Sequence, residues 1–195
     1  MLARGTGIML GIVFSEFIEM VEDKFSADTV DQLTDFAEEN FDSEGAYTTI
    51  GDYDHNEMLI LVSELSKVSG ISIQDLIYTY GVQLFKKFHL NYPEFFEGID
   101  NSLLFLSGVE TRIHTEVRKL YPNSELPEFD CEFIDGSTLV MLYSSARPFA
   151  SLAHGLIVGC IEHFNDKVDL QRIDLSADKM TKAKFTLTRA AGEVC

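Results

Sequence analysis

The hydrophobic period of this chain changes once, close to Pro127, and the change separates two kinds of structure. Before it, apolar residues recur at helical spacing, as they do over residues 13–25. After it, Phe129, Cys131 and Phe133 alternate with acidic residues, which is typical of a strand with one buried face. The two periods occupy separate segments, so the sequence predicts an α+β protein.

Local signals place six helices. Asp28 is expected to cap the second, Ser69-Gly70 separates the third from the fourth, and Tyr121-Pro122 ends the fifth because proline interrupts the backbone hydrogen bonds of a helix. Pro148 is expected to open the sixth. The predicted helices cover residues 13–25, 30–36, 57–68, 73–88, 102–121 and 148–164.

Two hairpins complete the predicted fold. The first turns at Asp135-Gly136, and the second turns around residues 176–180. The predicted strands cover residues 129–133, 138–145, 168–173 and 182–188. We therefore expect an antiparallel sheet of about four strands, with the sixth helix crossing between the hairpins.

The first hairpin ends in the run Tyr143-x-Ser145-x-Arg147. Alternate side chains of a strand share a face, so two hydroxyls and a guanidinium are predicted to point the same way. That donor set suits a carboxylate, and the positive end of the following helix adds to the attraction. A purely structural role, with Tyr143 half-buried and Arg147 in a salt bridge, explains the run equally well.

His114 lies at the edge of the apolar face of the fifth predicted helix. That face consists of Val109, Ile113, Val117 and Leu120. An imidazole there can project into an apolar cavity, although a single histidine is more often only packed or partly exposed. Taken together with the carboxylate clamp at 143–147, His114 indicates a haem pocket.

The charge of the chain excludes some partners. Fifteen Lys and Arg against 32 Asp and Glu give a net charge of −17, which repels nucleic acid and anionic lipid, so neither is an expected partner. The three cysteines are an odd number without close pairing, which favours a reducing compartment, and we expect a cytoplasmic protein.

A zinc site is the second candidate. Cys160 and His163 are three residues apart on one predicted helix, and Cys131 and Cys195 could complete the ligand set. The distant pair lacks a signature spacing, so ordinary buried thiols are an alternative. Motifs of nucleotide-binding enzymes, zinc proteases and serine hydrolases are missing from the sequence, and no enzymatic activity is expected.

Three motifs in order resemble the haem nitric oxide/oxygen binding (H-NOX) family, which includes the sensor domain of soluble guanylate cyclase. The resemblance covers about residues 9–190. It is carried by Met9-Leu10-Gly11-Ile12-Val13, by His114 with Tyr121-Pro122 and Leu126-Pro127-x-Phe129, and by Tyr143-x-Ser145-x-Arg147.

The resemblance implies one H-NOX domain with haem b between two lobes. The helical lobe would span about residues 9–70 and the haem-anchoring lobe about residues 71–190. Residues 1–8 would be an extension, since Met9 could begin the patterned sequence equally well, and 191–195 a tail.

Residue roles also follow from the resemblance. His114 would ligate the haem iron on the proximal side, Tyr143, Ser145 and Arg147 would hold the propionates, and Pro127 would press on the macrocycle. Leu152 takes the position of the distal tyrosine of oxygen-binding members. The other distal residues would be Val13, Phe17, Leu84 and Phe88.

All five distal side chains are apolar, so bound O2 would lack a hydrogen-bond donor, whereas NO and CO need one much less. We therefore expect the ferrous haem to bind NO and CO and to discriminate against O2. His154 would upset this expectation if the helix register differed by about half a turn.

The signalling hypothesis is that NO breaks the iron bond to His114, which frees the helix and rotates the lobes. The chain ends soon after its last predicted strand, so we expect a monomer that signals in trans to a histidine kinase or to a diguanylate cyclase or phosphodiesterase. Two alternatives stay open: a thiol or zinc redox sensor, and a haem-free domain that binds another apolar carboxylate.

Overall fold

A computed structural model of the chain describes residues 7–122 and 124–190. Seven α-helices lie within these ranges: α1 (Gly11–Lys24), α2 (Ala27–Asn40), α3 (His55–Ser69), α4 (Ile73–Asn91), α5 (Ser102–Ser107), α6 (Thr115–Leu120) and α7 (Ala150–Phe164). A 3-10 turn follows α4 at Pro93–Phe96, another lies at Ala177–Lys179, and a π-helical turn at Val109–His114 joins α5 to α6. Six of these helices precede residue 121, and α7 lies between the strands of the C-terminal part.

The predicted four-stranded antiparallel sheet is confirmed. Its strands are β3 (Glu128–Phe133), β4 (Thr138–Ser144), β5 (Val168–Asp174) and β6 (Lys182–Arg189), in the order β3-β4-β6-β5. The register places Tyr143 opposite Phe129 on one side and Ala183 on the other. Helix α7 crosses between the hairpins, as the sequence predicts.

A second, two-stranded sheet was not predicted. Strand β1 (Ile8–Leu10) pairs antiparallel with β2 (Asp52–Asp54), so Met9 and Leu10 precede the first helix and do not open it. The backbone N–H of His55 donates to the carbonyl of Gly7 at 2.9 Å. Residues 7 and 8 of the expected extension are thus part of the folded unit, while residues 1–6 lie outside the described ranges. Three-residue strands are too short to show an alternating pattern.

The residues predicted to mark the starts of α2 and α7 each lie two residues from the observed positions. Ser26, not Asp28, caps α2: its hydroxyl accepts from the N–H of Thr29 at 3.2 Å, whereas Asp28 lies inside the first turn, where a carboxylate complements the positive helix end. Pro148 precedes α7, which begins at Ala150.

The buried apolar residues form two clusters. The first joins α1, α2, α3 and most of α4, with Phe14, Phe17 and Leu65 fully buried. The second joins α5, α7 and the inner face of the sheet, with Leu139 and Phe185 at its centre. Helices α4 and α7 contact each other along their length and carry residues of both clusters.

Glycines allow α4 and α7 to approach closely. A Cβ atom added at Gly155 would lie 2.1 Å from the carbonyl oxygen of Tyr78, and one added at Gly81 would lie 2.5 Å from that of Leu152. Both obstacles are backbone atoms, which cannot rotate away. The small residues therefore fix the position of Leu152 relative to α4.

We expect Gly155→Ala to lower the free energy of unfolding by about 1–3 kcal/mol, because overpacking at a rigid contact forces the helices apart. Urea unfolding followed by circular dichroism would measure the change. Gly136→Ala is the matched control, since a Cβ atom there meets nothing within 4 Å. Equal stability of the two variants would contradict the assignment of Gly155 as a packing contact.

Among the described residues, no helix combines the length and the apolar content needed to cross a membrane.

Candidate functional site

His114 ends a π-helical turn. The sequence predicted one continuous α-helix from residue 102 to residue 121, but Val109–His114 is wound more widely and the hydroxyl of Thr115 donates to the carbonyl of Glu110. Single π-turns within helices are frequent at functional sites. The predicted apolar face is also wrong at its end, because Leu120 is 71% exposed.

The side chain of His114 is held by Glu110. Its Nδ1 lies 2.9 Å from Oε2 of Glu110, and the imidazole is 12% exposed. An ionised carboxylate can only accept, so the geometry places the ring proton on Nδ1 and leaves the lone pair on Nε2. His114 is therefore oriented as a metal-ligating imidazole with a carboxylate behind it.

Burial favours the neutral form of His114. Burial lowers the pKa of His114, and Glu110 opposes this effect only in part. Burial alone would raise the pKa of Glu110, but hydrogen bonds from Arg118 and His114 outweigh it, so the net shift is downward. A neutral imidazole beside an ionised carboxylate is the state in which Nε2 can bind a metal.

An aromatic chain connects His114 to the clamp motif. The ring of Phe129 lies 5.8 Å from that of His114 and 5.5 Å from that of Tyr143, between ring centroids. Tyr143 is buried, and this burial raises its pKa to about 12 against a hydrogen bond to Ser145 and the charge of Arg147. The structure thus brings His114 and Tyr143 into contact with the same phenylalanine ring.

Only part of the clamp motif is a strand. Strand β4 ends at Ser144, and the backbone then bends so that the hydroxyl of Ser145 accepts from the N–H of Arg147 at 3.0 Å. The prediction that all three side chains share a strand face is wrong for this reason. The group nevertheless stays together around the hydroxyl of Tyr143.

Arg147 is buried and is held by Glu125. Its guanidinium donates to the carbonyl oxygen of Glu125 and lies 3.5 Å from the carboxylate of the same residue. Pro127 is half-buried two residues later, just before β3. Arg147 therefore faces the segment 124–127, and a carboxylate is already within its reach.

Val13 and Leu152 are brought together from distant parts of the chain. They line a narrow apolar pocket that leaves no room for a water molecule. Its lining consists of Met9, Val13, Met58, Val62, Ile77, Tyr80, Phe149 and Leu152. The expected absence of a polar donor at Leu152 therefore concerns a closely packed apolar region.

One lining residue is polar, and the sequence analysis missed it. The hydroxyl of Tyr80 donates to the carbonyl oxygen of Val13, and the ring of Phe17 packs edge-on against Tyr80 at 5.4 Å between centroids. Because its hydrogen is already used, Tyr80 is not a free donor to a ligand. Its position on the buried face of α4, with Leu76, Ile77 and Leu84, is the signal that could have found it.

Leu84 and Phe88 are placed differently. Leu84 borders a second cavity of about 270 Å³ that is also lined by Glu16, Met20, Asp23, Lys24, Gln83 and Lys87. Phe88 packs against the first apolar cluster. Neither is among the described residues that line the space beside Leu152.

His154 lies on another side of α7 from Leu152. Its ring contacts those of Tyr78 and Phe185, with centroid distances of 5.0 and 5.8 Å. Burial lowers its pKa, and Arg172 acts in the same direction. The imidazole is thus packed between α4 and the sheet, and it is not part of the lining around Leu152.

The cysteines have separate surroundings. The thiol of Cys131 lies 3.8 Å from the carbonyl oxygen of Leu106, and that of buried Cys160 lies 3.9 Å from that of Ser102. His163 contacts the ring of His89 at 3.9 Å. Within residues 7–122 and 124–190, no three His, Cys, Asp or Glu side chains converge as metal ligands. Cys195 lies outside the described residues.

Glu110 and Glu125 are two further site residues that sequence reasoning missed. Glu110 precedes His114 by four positions, the spacing at which helical side chains meet, and this signal was present in the sequence. Glu125 is 22 residues from Arg147, and no local pattern connects them.

The side chains of the candidate site correspond to the parts of the haem group that the sequence suggests. An oriented imidazole, a buried guanidinium beside two hydroxyls, and an apolar lining match the needs of an iron atom, two propionates and a porphyrin face. The residues present therefore suit haem.

Comparisons with known proteins agree with this chemistry. The sequence model of a family described as haem-NO-binding matches residues 10–172. The unliganded Fe(II) H-NOX protein from K. algicida is 35% identical, with a TM-score of 0.87 over 96% of this chain and 100% of that one. The IWP-051-bound Fe(II)CO H-NOX from Shewanella woodyi is 38% identical, with a TM-score of 0.79 over 96% and 97%.

A more distant structure shares the fold alone. The Fe(II)NO H-NOX protein from S. oneidensis is 21% identical, with a TM-score of 0.85 over 93% of this chain and 99% of that one. No curated protein matches this chain.

Proposed function

The chain belongs to the haem-NO-binding (H-NOX) family of haem-based gas sensors, and we propose that it binds NO and CO, discriminates against O2 and signals by releasing His114. H-NOX is a sensor domain and not a catalytic one. The observation that carries the proposal is an oriented, neutral His114 that the ring of Phe129 connects to Tyr143 of the clamp motif. The apolar lining at Val13 and Leu152 supports the proposed gas selectivity.

Each part of the cofactor has a residue to hold it. His114 would ligate iron through Nε2, Tyr143, Ser145 and Arg147 would hold the propionates, and Pro127 would contact the porphyrin. Haem b supplies a ferrous iron to which diatomic gases bind. Glu125 now contacts Arg147, so we propose that it yields the guanidinium to a propionate.

Gas selectivity follows from the missing donor. Leu152 and Val13 offer no hydrogen bond, and the hydroxyl of Tyr80 is committed to a backbone carbonyl. His154 packs toward the sheet. The partial negative charge on bound O2 would lack a hydrogen bond in such surroundings, whereas NO and CO depend much less on one.

His114 is proposed to link the gas site to the rest of the molecule. While it is bound, the π-turn and α6 are held at the cofactor; once it is released, that segment is free to shift relative to the sheet. The lobes expected at about residues 9–70 and 71–190 would then rotate as a two-state change.

H-NOX domains in general signal to partner kinases or cyclases. For this chain we propose a histidine kinase or a diguanylate cyclase or phosphodiesterase acting in trans on a monomeric sensor. The net charge of −17 favours a basic docking surface on that partner.

The visible spectrum of the anaerobically reduced protein tests the proposal. We expect a Soret band that moves to the blue with NO, because the iron loses His114, that responds to CO, and that does not change in air. A stable change in air would contradict the assigned selectivity. A protein that stays colourless when expressed with ample haem precursor would contradict the whole proposal.

The zinc or thiol alternative has a direct test in the same sample. Metal analysis should show iron without stoichiometric zinc. A zinc content that disappears in Cys160→Ser would favour a redox sensor instead, and the haem-free carboxylate-binding domain would be colourless in both proteins.

A further inference from the structure

The carboxylate of Glu110 accepts hydrogen bonds from three different residues. Oε2 accepts from Nδ1 of His114 at 2.9 Å and from the backbone N–H of Phe129 at 3.2 Å. Oε1 accepts from the guanidinium of Arg118 at 2.6 Å. One carboxylate thus connects the π-turn, helix α6 and the first residues of strand β3.

The two carboxylate oxygens of Glu110 have different partners, and this difference affects the chemistry of His114. The bond from His114 to Oε2 draws the Nδ1 proton toward the carboxylate and increases the electron density at Nε2. Arg118 acts on Oε1 and withdraws charge from the same carboxylate. The donor strength of Nε2 is therefore set by two opposed contacts, one on each oxygen.

The contact with Phe129 fixes the carboxylate in space. It connects positions 19 residues apart, and Phe129 is itself held opposite Tyr143 in the sheet. Glu110 is therefore positioned by the sheet and not only by its own flexible side chain. A ligand oriented by such a fixed acceptor keeps one tautomer and one ring direction.

We propose that Glu110 is a positioning residue that sets the strength of the bond between His114 and the iron, and so the ease with which NO releases His114. This inference rests on the proposed haem function. It assigns to Glu110 and Arg118 the control of the NO response, a role distinct from gas selectivity at Leu152.

The test compares Glu110→Gln with the unaltered protein in the ferrous haem-loaded state. Resonance Raman spectroscopy measures the iron–histidine stretch, and stopped-flow absorption measures the rate at which His114 leaves after NO is added. We expect a lower stretching frequency and a release about tenfold faster, since loss of an outer ligand partner typically weakens a metal site by about 10–100-fold.

Glu116→Gln is the matched control. Glu116 lies on α6, directly after the π-turn that carries Glu110, and its carboxylate pairs with Lys119 at 2.7 Å. The variant therefore removes equal charge without removing a hydrogen bond to His114. We expect it to match the unaltered protein. A shift as large as that of Glu110→Gln would mean that net charge is responsible, and would overturn the proposal.

Arg118→Met gives a second, opposite expectation. It leaves both hydrogen bonds of Oε2 in place and removes the positive charge that pairs with Oε1. The stretching frequency should therefore rise, and the release of His114 should slow. This variant keeps the proposal testable if Glu110→Gln does not fold. An unchanged frequency in Arg118→Met would overturn the opposed-contact argument.

The role of Glu110 and the proposed sensor function can fail independently of each other. A haem-loaded Glu110→Gln variant that matches the unaltered protein in both measurements overturns the role of Glu110 and leaves the sensor function intact. An unaltered protein without a Soret band contradicts the proposed function itself.

Discussion

A His114→Gly variant is expected to lose all NO-dependent control of its partner while keeping haem when imidazole is supplied. Free imidazole can replace the missing ligand at the iron, but it is not attached to the π-turn, so its departure moves no backbone. The measurement is the partner's activity with and without NO, at equal haem content confirmed by the Soret band.

The control for this experiment is His163→Ala. His163 is exposed near the end of α7 and contacts His89 and neighbouring phenylalanine rings, away from Glu110. It should retain the full NO response. NO control that survives in His114→Gly would contradict the release mechanism, because the signal would then travel by a route that does not need the His114 side chain.

A Leu152→Tyr variant is expected to gain O2 affinity by about 10–150-fold. A tyrosine hydroxyl would supply the donor that the apolar lining lacks, and a hydrogen bond to a charged acceptor contributes about 1.5–3 kcal/mol. Absorption titration of the reduced protein with O2, and the rate of O2 loss, would measure the change. CO affinity should move much less, since CO accepts hydrogen bonds weakly.

Two variants isolate the hydroxyl. Leu152→Phe adds a ring without a donor and should leave O2 affinity low, so an equal gain there would assign the effect to shape. Tyr80→Phe should also leave it unchanged, because its hydroxyl already donates to Val13. A marked change in Tyr80→Phe would mean that Tyr80 turns toward the ligand.

Helices and strands were largely predictable because their signals are local. The period of apolar residues gave α1, α3, α4, α7 and all four strands of the main sheet to within a few residues. The errors have local causes too. The cap of α2 was placed at an acidic residue inside its first turn, and β1 and β2 are too short to carry a period.

The sequence by itself determined the chemistry of the candidate site. It contains one histidine beside an apolar helical face, two hydroxyls with an arginine, and an apolar side chain at position 152. These are properties of residue types and of short spacings. They support haem binding and discrimination against O2 without reference to the tertiary structure.

The tertiary structure alone decided which groups meet. Glu110 reaches the N–H of Phe129 across 19 residues, and Arg147 reaches Glu125 across 22, through a segment without a regular period. What His154 contacts on its side of α7 depends on how closely Gly81 and Gly155 let two helices approach. Periodicity fixes the faces of single elements, whereas contacts between elements depend on the packing of all of them.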